Sequence, residues 1–222
     1  MNGNGTRRKI LFVLALLAIT SATLFGSYLE QSDASLAADV VQREWQQAIP
    51  PPGLLRSGDL IFRYSRGTIS NMLVQFSRTD ARYSHAGIVS IEGDRTFVYH
   101  ALGGEASSLP GIRRETLESF CSPSSVHSFG VYRTDLTPPQ LRNELSLAKT
   151  AWKQKIPFDL RYDITSDSAL YCTEFVYKIL ARASGNKNYI TLTELPGLTY
   201  VACDNLYRNR HTTLIYSRSY SD

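Results

Sequence analysis

Three side chains in this 222-residue sequence could together carry out acyl-transfer chemistry: one cysteine and two histidines. In Leu170-Tyr171-Cys172-Thr173-Glu174-Phe175-Val176-Tyr177 a polar, turn-prone run gives way to an amphipathic pattern. Phe175, Val176, Ile179 and Leu180 recur on one face, and Lys178 and Arg182 fall elsewhere, so the spacing predicts a helix with Cys172 in its first turn. Asp167 or Ser168 is positioned to cap it. Unpaired N–H groups and the positive end of the helix dipole favour thiolate there, and thiolate is the nucleophile. A lone cysteine on an apolar helix is nevertheless more often packing than chemistry. The assignment therefore needs a base.

Tyr83-Ser84-His85-Ala86-Gly87-Ile88-Val89-Ser90-Ile91 reads as a turn entering a strand, with His85 at its first position. A second strand, residues 96–100, ends at His100, and Glu92-Gly93-Asp94 supplies the hairpin connection. The two histidines are about equally far from that turn, so antiparallel pairing brings them to one end of the hairpin. Two histidines on adjacent strands are, by themselves, more often structural than catalytic. His211, at the start of a last strand over residues 212–216, is a weaker rival to His85, and His127 reads as a surface or lining residue. Asp159 and Asp163 are expected to organise loop turns.

The remaining pattern describes what must hold these groups. Ser57-Gly58-Asp59 is a turn before a short buried strand at residues 60–62. Thr68 is placed to cap a helix whose Ile69, Met72, Leu73 and Phe76 recur at core spacing. Gly103-Gly104 opens an irregular connection through Pro110-Gly111, with a short helix expected over 114–120 and no chemistry assigned to it. Residues 126–133 alternate as a strand. Thr137-Pro138-Pro139 then opens a helix presenting Leu141, Leu145, Ala148 and Trp152 on one face. Ser184-Gly185-Asn186 ends the cysteine helix, and a short turn is expected near residues 203–207.

With 43% apolar residues the chain is able to bury one good core. Its net charge of +4 is concentrated at one end: removing Arg7, Arg8 and Lys9 from the 24 basic side chains leaves 21 against 20 acidic ones. That balance gives nucleic acid no electrostatic footprint. The three cations precede an uncharged apolar run over 10–29, which is ~30 Å long as a helix, enough to span a bilayer core. The expected organisation is an N-terminal signal anchor at 1–29, a tether at 30–52 and a catalytic domain at 53–222. The N-terminus would remain cytoplasmic and the domain would lie on the periplasmic side, or be secreted if the anchor is cleaved. Three cysteines leave at least one thiol outside any intramolecular disulfide; Cys172 is taken as free, and Cys121 and Cys203 either pair or stand apart. No C-x-x-C spacing and no glycine-rich phosphate loop is present, so no metal and no cofactor is expected.

Three stretches, Ser57-Gly58-Asp59-Leu60-Ile61-Phe62, Ser84-His85-Ala86-Gly87-Ile88-Val89 and Leu170-Tyr171-Cys172-Thr173-Glu174-Phe175-Val176, together resemble the permuted papain-like hydrolases of the NlpC superfamily, YaeF/YiiX group, related to lecithin retinol acyltransferase. The order histidine before cysteine marks the permuted branch. The resemblance implies an α+β, papain-like (NlpC-type) domain with an antiparallel sheet packed on helices. It also implies a cysteine hydrolase of the amidase or peptidase kind with Cys172 as nucleophile and His85 as base. His100 falls at the third polar position, where YiiX-like relatives often carry glutamate, and a neutral histidine there stabilises an imidazolium less than a carboxylate does. The backbone N–H of Cys172 is expected to meet the oxyanion, with Tyr171 as its neighbour. Cell-wall peptide is the expected amide substrate; a lipid ester, hydrolysed or transferred, and a non-catalytic binding module are the alternatives.

Overall fold

The computed structural model describes residues 49–51, 53–103 and 110–220. The chain divides into compact units at 46/47, and the described residues belong to the second. The expected membrane helix at 10–29, most of the tether and Gly104 lie outside them. Among the described residues no helix is long and apolar enough to cross a membrane.

Six strands form one antiparallel sheet in the order β4-β3-β2-β1-β5-β8, from β1 (Leu60–Ser65), β2 (His85–Glu92), β3 (Arg95–Leu102), β4 (Gly111–Thr116), β5 (Val126–Thr134) and β8 (Thr212–Ser219). A separate hairpin pairs β6 (Thr193–Leu195) with β7 (Leu198–Tyr200). The helices are α1 (Thr68–Leu73), α2 (Leu117–Phe120), α3 (Pro138–Lys153), α4 (Cys172–Ser184) and α5 (Cys203–Tyr207). Strand alternation splits the core in two. Leu60, Phe62, Ala86, Ile88, Tyr99 and Ala101 face α4, whereas Ile61, Val89, Val98, Phe129 and Val131 form a second cluster with Leu117 and Phe120 of α2.

The cysteine helix forms where its pattern places it. Phe175, Val176, Ile179, Leu180 and Ala183 are buried, each large side chain contributing ~1.5–3 kcal/mol. Together these anchors outweigh the cost of bringing Glu174 inside, which Lys178 reduces further by pairing with it at 2.7 Å, one turn on. Its cap differs from expectation. Tyr171 occupies the N-cap position, and its backbone N–H donates to the Glu174 carboxylate at 3.1 Å. Asp167 instead pairs with Lys178 and Arg182. Gly185 ends the helix in the left-handed region at φ 70°.

Two further expectations are corrected. Residues 114–116 belong to strand β4, and the helix that follows spans only Leu117–Phe120, because β4 pairs with β3 from Leu102↔Gly111 to Phe97↔Thr116. The expected core face of α1 is not core: Ile69 and Met72 are each 57% exposed and Phe76 47%. The apolar spacing there serves a surface facing a cavity. All three cysteines are free and buried. Cys121 packs in the cluster around α2 and Cys203 in the cluster on the other face of the sheet, which separates them.

Candidate active site

Four adjacent strands each contribute one side chain to a row across the sheet. Arg63 of β1 lies opposite His85 of β2, then come His100 of β3 and Glu115 of β4. His85 Nε2 and His100 Nδ1 are 2.8 Å apart, and His100 Nε2 stands 3.0 Å from Glu115 Oε2. Arg63 Nη1 approaches the same carboxylate at 3.5 Å and donates to the Phe120 carbonyl at 3.2 Å, its guanidinium lying over the Phe120 ring. The Phe120 ring also touches both imidazoles. Because β2 and β3 run antiparallel from the tight turn at Gly93, the two histidines meet at the end of the hairpin away from that turn.

The β2–β3 ladder stops at Ile88↔Tyr99. Beyond it the Ala86 N–H has no strand partner and faces the Cys172 sulfur, together with the N–H groups of Cys172 and Thr173 at the start of α4. The helix terminus thus enters where the sheet opens, one residue along β2 from His85. Gly87 permits this close layering, since a Cβ there would meet Val98 Cγ1 at 2.5 Å and His100 Cβ at 3.2 Å. Among N–H groups so arranged, a negative charge on sulfur, or on an oxygen beside it, is stabilised.

With His85 Nε2 committed to His100, Nδ1 is the nitrogen left to take a thiol proton. The matching tautomers are His100 Nε2–H toward Glu115 and His85 Nε2–H donated to His100 Nδ1. A proton arriving at His85 therefore creates a positive charge that is linked through His100 to a carboxylate. Burial pushes His85 well below 6.5, helped by the Arg63 charge and by His100. Burial likewise lowers His100, against the opposing pull of Glu115. Glu115 would be raised by its own burial but is held down at about 2 by His100 and Arg63. The Cys172 thiol is pushed up to about 11 by burial, against the N–H groups of Ala86, Thr173 and Cys172 and the Arg63 charge. The resting pair is a neutral thiol beside a neutral imidazole. Proton transfer is then coupled to attack on a carbonyl instead of being completed beforehand.

These shifts fix a sign for stability against pH. Both histidines are depressed in the folded chain relative to ~6.5 unfolded, so the unfolded state binds more protons below that pH. The stability they contribute is complete above ~6.5 and is lost as pH falls through the folded values, by at most ~1.4 kcal/mol per pH unit per histidine. Glu115 adds a second loss at lower pH, from ~4.3 toward 2. Thermal melts from pH 7.5 to 4.5 are expected to fall first between 7 and 5, and this first fall is expected to be shallower in His85→Gln. Equal slopes in both proteins would contradict the buried, neutral His85.

Glu115 was missed by sequence reading. It lies on β4, an edge strand whose Arg113, Arg114 and Glu115 break the apolar alternation that identifies inner strands. Its role is visible only once β4 is paired with β3, when it becomes the diagonal neighbour of His100 on one face. It supplies, one residue further out, the carboxylate absent at position 100. Glu115→Gln is expected to lower kcat by about ten- to hundred-fold, less than the ~10⁴ seen where a carboxylate contacts the base directly, with little change in KM. An unchanged kcat would remove Glu115 from the relay.

The other candidates separate from this row. The Tyr171 hydroxyl accepts from the Val201 N–H at 2.9 Å and the Thr173 hydroxyl donates to the Val201 carbonyl at 2.6 Å, so both tie the start of α4 to the segment before α5. Tyr171 lies beside Cys172 and lines the same cavity. His211 pairs instead with Asp135 at 2.8 Å and stacks on Tyr189. His127 packs against Tyr64. Asp159 accepts from the Arg161 and Asp163 N–H groups and Asp163 from the Thr165 N–H, which makes them loop organisers. Asp59 does more than turn the chain, binding Arg133 of β5 through both carboxylate oxygens at 2.8 Å. Among the described residues no three His, Cys, Asp or Glu side chains are grouped to hold a metal ion.

A curated relative, the uncharacterized protein YiiX of Escherichia coli K12, is 27% identical over 132 residues, which is 59% of this chain and 59% of that protein. The crystal structure of metalloprotein YiiX from Escherichia coli O157:H7 shares the fold, with a TM-score of 0.60 and 20% identity over 74% of this chain and 98% of that one. Residues 54–216, which contain the whole row and Cys172, match the family described as permuted papain-like amidase enzyme, YaeF/YiiX, C92 family, and the chain belongs to that family.

Proposed function

We propose that the chain is a thiol amidase in which Cys172 attacks an acyl carbonyl, His85 moves the proton, and His100 with Glu115 orients and stabilises His85. Membership of an amidase family supports the reaction class. The observation that carries the residue roles is the row Glu115–His100–His85, ending one residue from the strand N–H that faces the Cys172 sulfur. Cys172 Sγ forms a bond to the carbonyl carbon as His85 Nδ1 takes the thiol proton. The oxyanion is met by N–H groups at the start of α4, His85 protonates the leaving amine, and water resolves the thioester by the reverse proton path. A signal anchor at residues 10–29 would hold this domain at the outer face of a membrane.

The cavity beside Cys172 favours an apolar acyl group over a charged cell-wall peptide, because Arg161 is the only charged residue among those lining it. This brings forward the reading of a lipid amide or ester as substrate. An activated acyl ester such as p-nitrophenyl acetate tests the chemistry independently of that choice. Acid quench is expected to trap the acyl mass on the peptide containing Cys172, with a burst of one p-nitrophenol per chain. A burst without that adduct would overturn the assignment of the nucleophile.

A further inference from the structure

Four apolar side chains that would ordinarily be buried stand at one mouth: Met72 is 57% exposed, Phe76 47%, Leu198 42% and Tyr162 37%. They come from three separate parts of the chain: α1 and the turn after it, the β6–β7 hairpin, and the loop before α4. All four line one cavity of about 310 Å³ that also has Cys172 in its wall. Leu73, Val201 and Ala202 continue its apolar surface. Its polar atoms are largely spent on the surrounding backbone. The Tyr200 hydroxyl donates to the Phe76 carbonyl at 3.0 Å, the Tyr171 hydroxyl accepts from Val201, and the Thr173 hydroxyl donates to Val201.

Such a wall offers ring faces and methyl groups but few hydrogen-bonding groups. Peptide or sugar groups entering it would lose water without compensation, at a cost of ~1–3 kcal/mol each. An aliphatic chain gains ~0.8 kcal/mol for every methylene buried. The exposed rim has the same logic, since its apolar side chains would be covered by substrate leading into the cavity.

We infer that this cavity is the acyl-chain subsite, and that the group passed to Cys172 is an unbranched, medium- to long-chain aliphatic acyl group held in an amide or ester. The inference rests on the thiol chemistry proposed above and names its substrate class. The Sγ–C bond forms as the C–N or C–O bond breaks, with the thiol proton passing through His85 to the leaving amine or alcohol. Water then adds at the carbonyl, the S–C bond breaks, and the proton returns to sulfur through His85.

The test uses the full chain with p-nitrophenyl acetate, butyrate, octanoate and decanoate, each below its aggregation limit, following p-nitrophenol release and the acyl mass on Cys172. From acetate to octanoate kcat/KM is expected to rise at least a hundredfold, with steps of about fourfold per methylene at the start of the series, the equivalent of ~0.8 kcal/mol. Met72→Asp with Leu198→Asp, both at exposed positions, is expected to lower the octanoate-to-acetate ratio of kcat/KM tenfold or more. A flat or acetate-favouring series with Cys172 acylated throughout would overturn the chain subsite and leave the thiol chemistry standing. Absence of a Cys172 adduct with every ester, acetate included, would overturn both. A length preference unchanged in the double variant would place the chain outside this cavity and also overturn the inference.

Discussion

Cys172→Ala is expected to lower turnover of any amide or activated ester by ~10³-fold or more while the protein still folds. The size follows from the absence of another nucleophile in the same position. Cys203 lines the same cavity, but burial raises its thiol well above 9, with the negative charge of a Cys172 thiolate raising it further. The alanine variant should remain folded because alanine is the best helix former and Cys172 lies in the first turn of α4, where only one sulfur is lost from a helix anchored by Phe175, Val176, Ile179 and Leu180. A loss of ~1 kcal/mol or less corresponds to a drop of roughly 2–4 °C in Tm for a chain of this size. Loss of activity with a far larger drop in Tm would make Cys172 a packing residue. Retained turnover would remove it from the chemistry.

The second large effect is expected at His85. His85→Ala removes the base and should cost ~10²–10⁴ in kcat, but it also strips His100 Nδ1 of its buried partner, which costs ~1–3 kcal/mol of stability. His85→Gln separates the two effects. Its amide can reach His100 as a donor but cannot accept and return a proton at neutral pH, so its stability should recover and its activity should not. Recovery of activity in His85→Gln would mean that position 85 only organises the site. The cysteine side is sensitive to the same change, because the thiol is held high by burial and depends on a neighbouring base to react near neutral pH.

Much of the arrangement around these two residues follows from local pattern. The Cys172 helix, the β2–β3 hairpin that joins His85 to His100, and α3 behind its Pro138-Pro139 start are each encoded by periodicity and turn residues lying within about twenty positions. The α4 cap was legible in part: Glu174 three residues after Tyr171 is half of a capping box, but a tyrosine at the N-cap carries no such signal. What escaped depends on contacts between distant segments. Glu115 belongs to an edge strand whose charged residues conceal its alternation, and its partner His100 is fifteen positions away on a strand whose pairing with β4 no local pattern specifies. The apolar spacing of Ile69, Met72 and Phe76 reads equally as core or as the wall of a cavity, and only the placement of Leu198 and Tyr162 across the same opening decides between them. The split of the β2–β3 ladder that admits Cys172 likewise arises from packing between layers.

The measurement that bears most directly on the Cys172–His85 pair is the pH dependence of iodoacetamide labelling at Cys172 in the full chain, read at the peptide that contains it and compared with His85→Gln. The expected wild-type rate is appreciable at pH 7 and falls as His85 becomes protonated below its depressed value. In His85→Gln the rate at pH 7 is expected to drop by ~10²-fold or more and to rise only as pH climbs toward the elevated value of the thiol, about 11. Labelling that is the same in both proteins and titrates near ~8.5, as a free thiol does, would contradict a nucleophile served by His85.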